Sequence, residues 1–352
     1  TTEIYTLSLH AALPILFDDI ALRPAVPEDR VAMAGDRAAP LVLPPATANG
    51  VFESGPHIGL VAGDLVAAFE RDGGALRHLV HRPTGRTFAD ERQRRPLFRL
   101  GLTRWRNGEA MEVSADDFAR VEWDRTAPGT LRATFRDGPV TGMVVRATAA
   151  AGDDGLVRFR LAVENPTDLA VARIHHPGFA SPAALGGDAA DDHLLFPHSH
   201  TDGIEVPAPG TADFACHGSH PGDAAVQMAA LYDSAAGLLV ATHDAEGHCK
   251  HFEARAARGR FVELSIEHRR PEVPGDGGTP YDTVLGAFTG DWRAAAALYK
   301  RWARTQPWCA RRLAERDDVP AFLKAGPAGV VLGIGGPDGY NGALGPELEK
   351  LP

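Results

Sequence analysis

Histidine dominates the chemistry this sequence could support. Fifteen are present, and most gather in short runs. One run holds His175, His176, His193, His198 and His200; a second holds Cys216, His217 and His220; a third holds His243, His248, Cys249 and His251. Imidazole exchanges protons near neutral pH, and imidazole with thiolate is the ligand set zinc prefers. The C-H-x-x-H and H-C-x-H spacings, however, match neither the CxxC nor the HxxxH pattern of structural zinc sites. The histidines therefore read as polar loop residues, and no metal is expected. Asp244 and Lys250 lie in THDAEGHCK, just after the apolar run 237–242. A carboxylate at a strand end can accept from ligand hydroxyls or cap its own turn. Asp338 stands in GGPDGYNG, among turn-forming residues. The sequence holds no Gly-x-Ser-x-Gly elbow and no Walker loop, and GIGGPDG is not followed by the helix and glycine spacing of a dinucleotide site. No cofactor is implied.

The elements that must position these residues are mostly strands. The 352 residues carry 38 Gly and 27 Pro, which favours many turns over long helices, and the 44% hydrophobic content supports a substantial core. A net charge of −10 argues against a nucleic-acid partner. Arg92, Arg94, Arg95, Arg99, Arg104 and Arg106 cluster in a strand region and read as a solvated sheet face rather than a phosphate patch. No apolar run reaches the 18 residues of a membrane span. Three cysteines allow at most one bridge and leave the compartment undecided. The first 15 residues resemble translated sequencing-adapter text of the kind found at the ends of metagenomic reading frames, so a secretory leader could have been lost with the true start. Residues 1–50 are expected to be a Pro/Ala-rich, disordered lead-in.

From Gly59 the pattern has period two. LVAGDLVAAFERDGGALRHLVHRPTG reads as strands joined by Asp-Gly-Gly and closed by Pro-Thr-Gly turns. PLFRLGLTRW alternates, and VVRATAAAGDDGLVRFRLAVENPTD is a hairpin whose second arm sets Val157, Phe159, Leu161 and Val163 against charged neighbours. Turn signals at short intervals continue to YDTVLGAFTG, which predicts a large all-β sandwich of a dozen or more strands over 51–290.

GDWRAAAALYKRWARTQPWC then changes period. Asp291 can cap a helix whose apolar stripe is Trp292, Ala295, Ala296, Tyr299 and Trp302, and Pro307 stops it. Such a stripe is expected to pack as core, with sugar stacking by Trp292 as the alternative. The helix (291–309) is followed by the run Val330–Ile334, which reads as the first strand of a new domain spanning 310–352.

At this point the sequence resembles a known group. DLVAAFERDGGALRHLVHRPTG is similar to the opening strands of galactose-mutarotase-like supersandwich domains. QMAALYDSAAGLLVATHDAEGHCKHFEA with the following helix resembles glycoside-hydrolase-like proteins of the DUF6259 type, in which a supersandwich leads into a (β/α)8 barrel. The resemblance implies a mainly β protein: a supersandwich, a linker helix and the first strand of a truncated barrel. It further implies a carbohydrate-active protein whose main catalytic carboxylates belong to the missing barrel, acting on poly- or oligosaccharide. Two alternatives remain open: a non-catalytic carbohydrate-binding or interaction module, and an aldose-1-epimerase-like enzyme with a His acid and a Glu base. In the first case Asp338, at the end of the first barrel strand, is the candidate carboxylate. In the last, His198 or His200 would be the acid and Glu205 or Glu267 the base. Asp244, Lys250 and Trp292 are the candidate sugar contacts. A barrel cut short leaves a strand edge exposed, so the last 25 residues are expected to be poorly ordered.

Overall fold

A computed structural model describes residues 38–45, 49–104, 110–198, 204–321 and 324. The chain divides into two compact units, Thr1–Trp302 and Ala303–Pro352. In the second, the described residues form two short 3-10 turns, Pro307–Cys309 and Leu313–Glu315. The expected barrel strand at Val330–Ile334, the last 25 residues, His200 and Asp338 all lie outside the described residues.

The first unit is built from three antiparallel sheets. Residues with alternating apolar side chains cannot bury both faces of an isolated hairpin, so they pack sheet on sheet. A five-stranded meander runs in chain order: Gly50–Ser54, His57–Ala62, Leu65–Glu70, Leu76–His81 and Arg86–Thr87. A ten-stranded sheet has the order Ile204–Pro207, His193–Phe196, Met228–Tyr232, Gly237–His243, Asp282–Phe288, Leu156–Glu164, Val144–Ala151, Thr130–Arg136 and Arg120–Ala127, with Gly277–Gly278 also beside Leu156–Glu164. A seven-stranded sheet has the order Phe214–His220, Lys250–Ala257, Phe261–Arg269, Leu169–His175, Arg99–Arg104 and Ala110–Ser114, with Ser181–Pro182 also on Phe261–Arg269.

One core joins all three: Leu60 and Phe69, Phe135, Val157 and Leu285, and Phe252, Leu264 and Ile266 belong to a single apolar cluster. Edge-to-face aromatic pairs tie it, with the rings of Phe98 and Phe135 4.9 Å apart. The expected hairpin is present. Val145 pairs Val163 and Ala149 pairs Phe159 across a turn closed by Gly155, whose φ of +82° suits a residue without Cβ.

The ten-stranded sheet is buried on both faces at its middle. Leu238 and Val240 enter the main core; Leu239 and Ala241 face a second cluster with Leu156, Val284 and Phe288. The helix Trp292–Ala303 supplies the cover through Ala295, Leu298 and Tyr299. Asp291 Oδ1 accepts from Arg293 N at 2.9 Å, as a cap should. Of the expected stripe, Ala295 is fully buried, and Trp302 stacks on His243 at 4.7 Å with a 2° tilt. The helix ends at Ala303, short of Pro307, and Gln306, the residue before the proline, is extended.

Candidate functional site

The seven-stranded sheet has one dry face and one wet one. Along Phe261–Arg269 the even positions Val262, Leu264 and Ile266 enter the core, so Glu263, Ser265, Glu267 and Arg269 point the other way. The same parity turns His251, Glu253 and Arg255 outward on one neighbour and Arg173 and His175 on the other. Register then aligns them. Ser219 pairs His251, His251 pairs Glu267, Glu267 pairs His175, His175 pairs Arg99, and Arg99 pairs Ser114. A single row of hydrogen-bonding side chains thus crosses six strands, about 24 Å at the usual strand spacing.

Glu267 anchors the row. His175 Nε2 lies 3.3 Å from its Oε2, and Arg269 Nε donates to its Oε1 at 2.8 Å. Burial would raise the pKa of this carboxyl, which is 5% exposed; hydrogen bonding and charge from His175, then Arg269, reverse that and hold it at about 2. It is a permanently ionised acceptor at neutral pH. Next to it, Ser219 Oγ and His251 Nε2 are 3.2 Å apart, and burial followed by the Arg269 charge pushes the His251 imidazole down from its ordinary value.

Four residues along the strand from Glu267, Glu263 is clamped by two guanidiniums. Arg95 Nε and an Arg255 terminal nitrogen each donate to Oε2 at 2.9 Å. Burial opposes its ionisation, but Arg95 and Arg255 outweigh this and lower its pKa. The ring of Phe261 lies beneath Arg95 at 4.8 Å and Arg255 at 5.3 Å. A cleft of about 690 Å³, lined in part by Asp90, Arg92, Arg258 and Arg260, opens next to this end of the sheet.

Behind the row, on the dry face, a buried polar network fixes the same strands. Lys250, fully buried, donates to Asp244 Oδ2 at 2.6 Å, His248 O at 2.7 Å and Gln227 Oε1 at 3.2 Å, which satisfies all three of its protons. Its ammonium sits 4.7 Å from the Tyr281 ring centre, and Tyr281 Oη is 2.8 Å from His268 Nδ1. Asp244 also accepts from the backbone N–H groups of Glu246 and His248. Asp244 and Lys250, singled out in the sequence as sugar contacts, are thus brought together, but inside the sandwich: 1% and 0% exposed, they form a salt-bridged, capped turn.

Trp292 is 37% exposed, with the Arg293 guanidinium 4.6 Å over its ring. His198 forms an isolated bridge with Ala224. The two glutamates expected as bases part company. Glu267 joins the row with His175 and His251. Glu205 accepts from the Tyr232 hydroxyl and lies 3.2 Å from His193 Nδ1, while the His193 and Tyr232 rings stack at 5.3 Å. The sequence reading missed His175, His251 and Arg269 as partners of Glu267. The available signal was the string Glu263-x-Ser265-x-Glu267-x-Arg269, polar at every second position of an otherwise apolar strand. Among the described residues no three His, Cys, Asp or Glu gather as metal ligands, and no helix is long and apolar enough to cross a membrane.

Comparison with known proteins adds the lineage. Residues 278–333 match the family described as "Domain of unknown function (DUF6259)". No curated protein matches the sequence. Among solved structures, the quadruple mutant of the α-N-acetylgalactosaminidase NagBb from Bifidobacterium bifidum is similar at 12% identity, with a TM-score of 0.50, over 70% of this chain and 39% of that one. The GalNAc complex of the same enzyme gives 11% identity, a TM-score of 0.50 and coverage of 70% and 38%. A galactose mutarotase-like protein from Lactobacillus casei ATCC 334 is similar at 12% identity over 66% of this chain and 99% of that one, with a TM-score of 0.44. The chain spans about two fifths of the glycosidase it resembles and so corresponds to part of its architecture. The mainly β fold of the chain is thus similar to part of the NagBb structure, and residues 278–333 carry the DUF6259 match.

Proposed function

We propose that this chain is the sugar-binding β portion of a glycoside-hydrolase-like protein, with the bond-breaking carboxylates carried by a barrel that follows the helix. The observation that supports this most is the row Ser219, His251, Glu267, His175, Arg99 and Ser114. Fixed donors and acceptors spaced along a polar sheet face suit a ligand made of hydroxyl groups. They are held in place by strands rather than loops, so little order has to be gained on binding.

Catalysis by the row itself is the weaker reading. An epimerase base must take a proton near neutral pH, and a carboxylate at a pKa of about 2 accepts one poorly. Calorimetric titration with a panel of neutral and acidic oligosaccharides tests the proposal, using the full chain and the variants Glu267→Gln and His175→Gln. Binding by the parent that falls at least tenfold in both variants, measured at a temperature where melting scans show each still folded, is the expected result. Absence of binding to every saccharide rejects it, and rapid anomer interconversion by the parent would replace it with the epimerase reading.

A further inference from the structure

We infer that Arg99, Arg173 and Arg269 form a subsite for an acidic substituent, carboxylate or sulfate, on the bound saccharide; this rests on the sugar-binding reading above. Register places the three together. Arg173 pairs both Arg269 and Gly101, and Arg99 lies two residues from Gly101 on the same strand face. Diagonal neighbours on one sheet face are separated by about 7–8 Å, within reach of long side chains.

Their charges are only partly balanced from within: Glu263 feels the Arg99 charge but is hydrogen-bonded by Arg95 and Arg255 instead. Like charges directly opposite one another across two strands disfavour the pairing, yet Arg173 and Arg269 occupy such positions. Arg269 is offset by Glu267. Arg99 and Arg173 make no hydrogen bond or ion pair among the described residues. The nearby carboxylates are already engaged: Glu267 by His175 and Arg269, Glu263 by Arg95 and Arg255. Glu112, paired with Gly101 on the neighbouring edge strand, is exposed and makes no ion pair among the described residues. The outward face thus concentrates guanidinium in a chain whose net charge is −10.

Gly101 sets the geometry. A Cβ there would stand 2.8 Å from Arg173 Nε and 3.3 Å from its Cζ. With no side chain at that position, the Arg173 guanidinium lies down over the strand instead of standing out in solvent. A guanidinium laid against a sheet presents its planar fork to a ligand on that face, the arrangement that grips a carboxylate or sulfate through two parallel hydrogen bonds.

The test is calorimetry on the full chain with three probes: a galacturonate trisaccharide, its neutral methyl ester, and a chondroitin sulfate tetrasaccharide. The variants are Arg99→Gln and Arg173→Gln, with Arg99→Lys and Arg173→Lys as charge-keeping partners and thermal melting to check folding. The parent is expected to bind an acidic probe at least tenfold more tightly than the ester. Arg173→Gln should erase that preference while binding the ester unchanged, Arg99→Gln, whose residue also belongs to the row, should weaken the acidic probes more than the ester, and the Lys variants should retain part of the preference. Preference for the trisaccharide or the tetrasaccharide tells carboxylate from sulfate. Equal binding of acid and ester, or a preference that survives both Gln variants, overturns the subsite and leaves the sugar-binding reading standing. Binding of none of the three, nor of any neutral saccharide, overturns both.

Discussion

Lys250 Nζ stands 2.6 Å from Asp244 Oδ2, with both side chains sealed from solvent. Removing one member of a buried ion pair leaves the other desolvated and unpaired, which costs about 3–5 kcal/mol. Asp244→Asn and Lys250→Met are each expected to lower stability on that scale. The double variant Lys250→Met/Asp244→Asn keeps an acceptor for the N–H groups of Glu246 and His248 and should lose less than the two singles combined. Urea unfolding of the four proteins checks this; strict additivity would mean the pair is not coupled.

Acid should destabilise this protein well before its carboxylates titrate. Burial is the first cause that pushes His78, His176 and His243 down to about 4 and His268 to about 3, against 6.5 for the free side chain. Between those values the unfolded chain binds more protons than the folded one. Stability from these groups is therefore complete above pH 6.5 and is lost as pH falls towards 4. Glu267, held at about 2, extends the loss below pH 4.5. Asp192 opposes the trend, and the five groups from His78 to Asp192 together predict a net uptake of roughly two to three protons on unfolding at pH 5. Denaturation midpoints from pH 4 to 8 give this slope, and a flat profile between pH 6.5 and 4 contradicts it.

Asp192 carries the opposite sign. It is 1% exposed, its Oδ2 accepts from Leu185 N at 2.9 Å, and burial, with added repulsion from Asp233 and Asp191, raises its pKa to about 7. Its folded form holds the proton more tightly than the unfolded one, so its contribution is full below pH 3.8 and is lost as pH rises through 7. Asp192→Asn keeps the acceptor without the charge. The variant should gain up to about 4 kcal/mol relative to the parent at pH 8 and little at pH 4. Equal effects at the two pH values would show that charge is not the cause.

Two glycines separate function from packing. At Gly101 the added methyl of Ala meets the movable Arg173 side chain. Gly101→Ala should leave melting nearly unchanged while weakening acidic-saccharide binding several-fold. At Gly237 the same methyl runs into the Phe288 ring in the second core, and overpacking of this kind costs about 1–3 kcal/mol. Melting scans and calorimetry on both variants should divide along that line.

What was readable in the sequence was local. The hairpin of Val144–Ala151 with Leu156–Glu164 announces itself through period-two alternation about a Gly-Asp-Asp-Gly turn, and the helix through its cap and stripe. The row on the seven-stranded sheet was hidden because its members come from six strands, and His175 and Glu267 meet only through the order of those strands. Local pattern fixes which way a side chain points, not which strand lies next to it. For the same reason Arg99 read as part of a solvated face. It does face outward, but its neighbours give the position meaning. Asp244 and Lys250 misled for a different reason: a charged turn after an apolar strand looks wet in sequence, and only the network with Gln227, Tyr281 and His268 explains how it is kept dry.

The last strand among the described residues, Asp282–Phe288, lies between Gly237–His243 and Leu156–Glu164. During synthesis the ten-stranded sheet therefore exists as two separate halves, each presenting a raw hydrogen-bonding edge, until that strand emerges. At ordinary translation rates the wait after His243 lasts roughly 2–9 s. Those two edges are the natural target for a chaperone on the nascent chain, and insertion of seven late residues is the event that zips the halves shut.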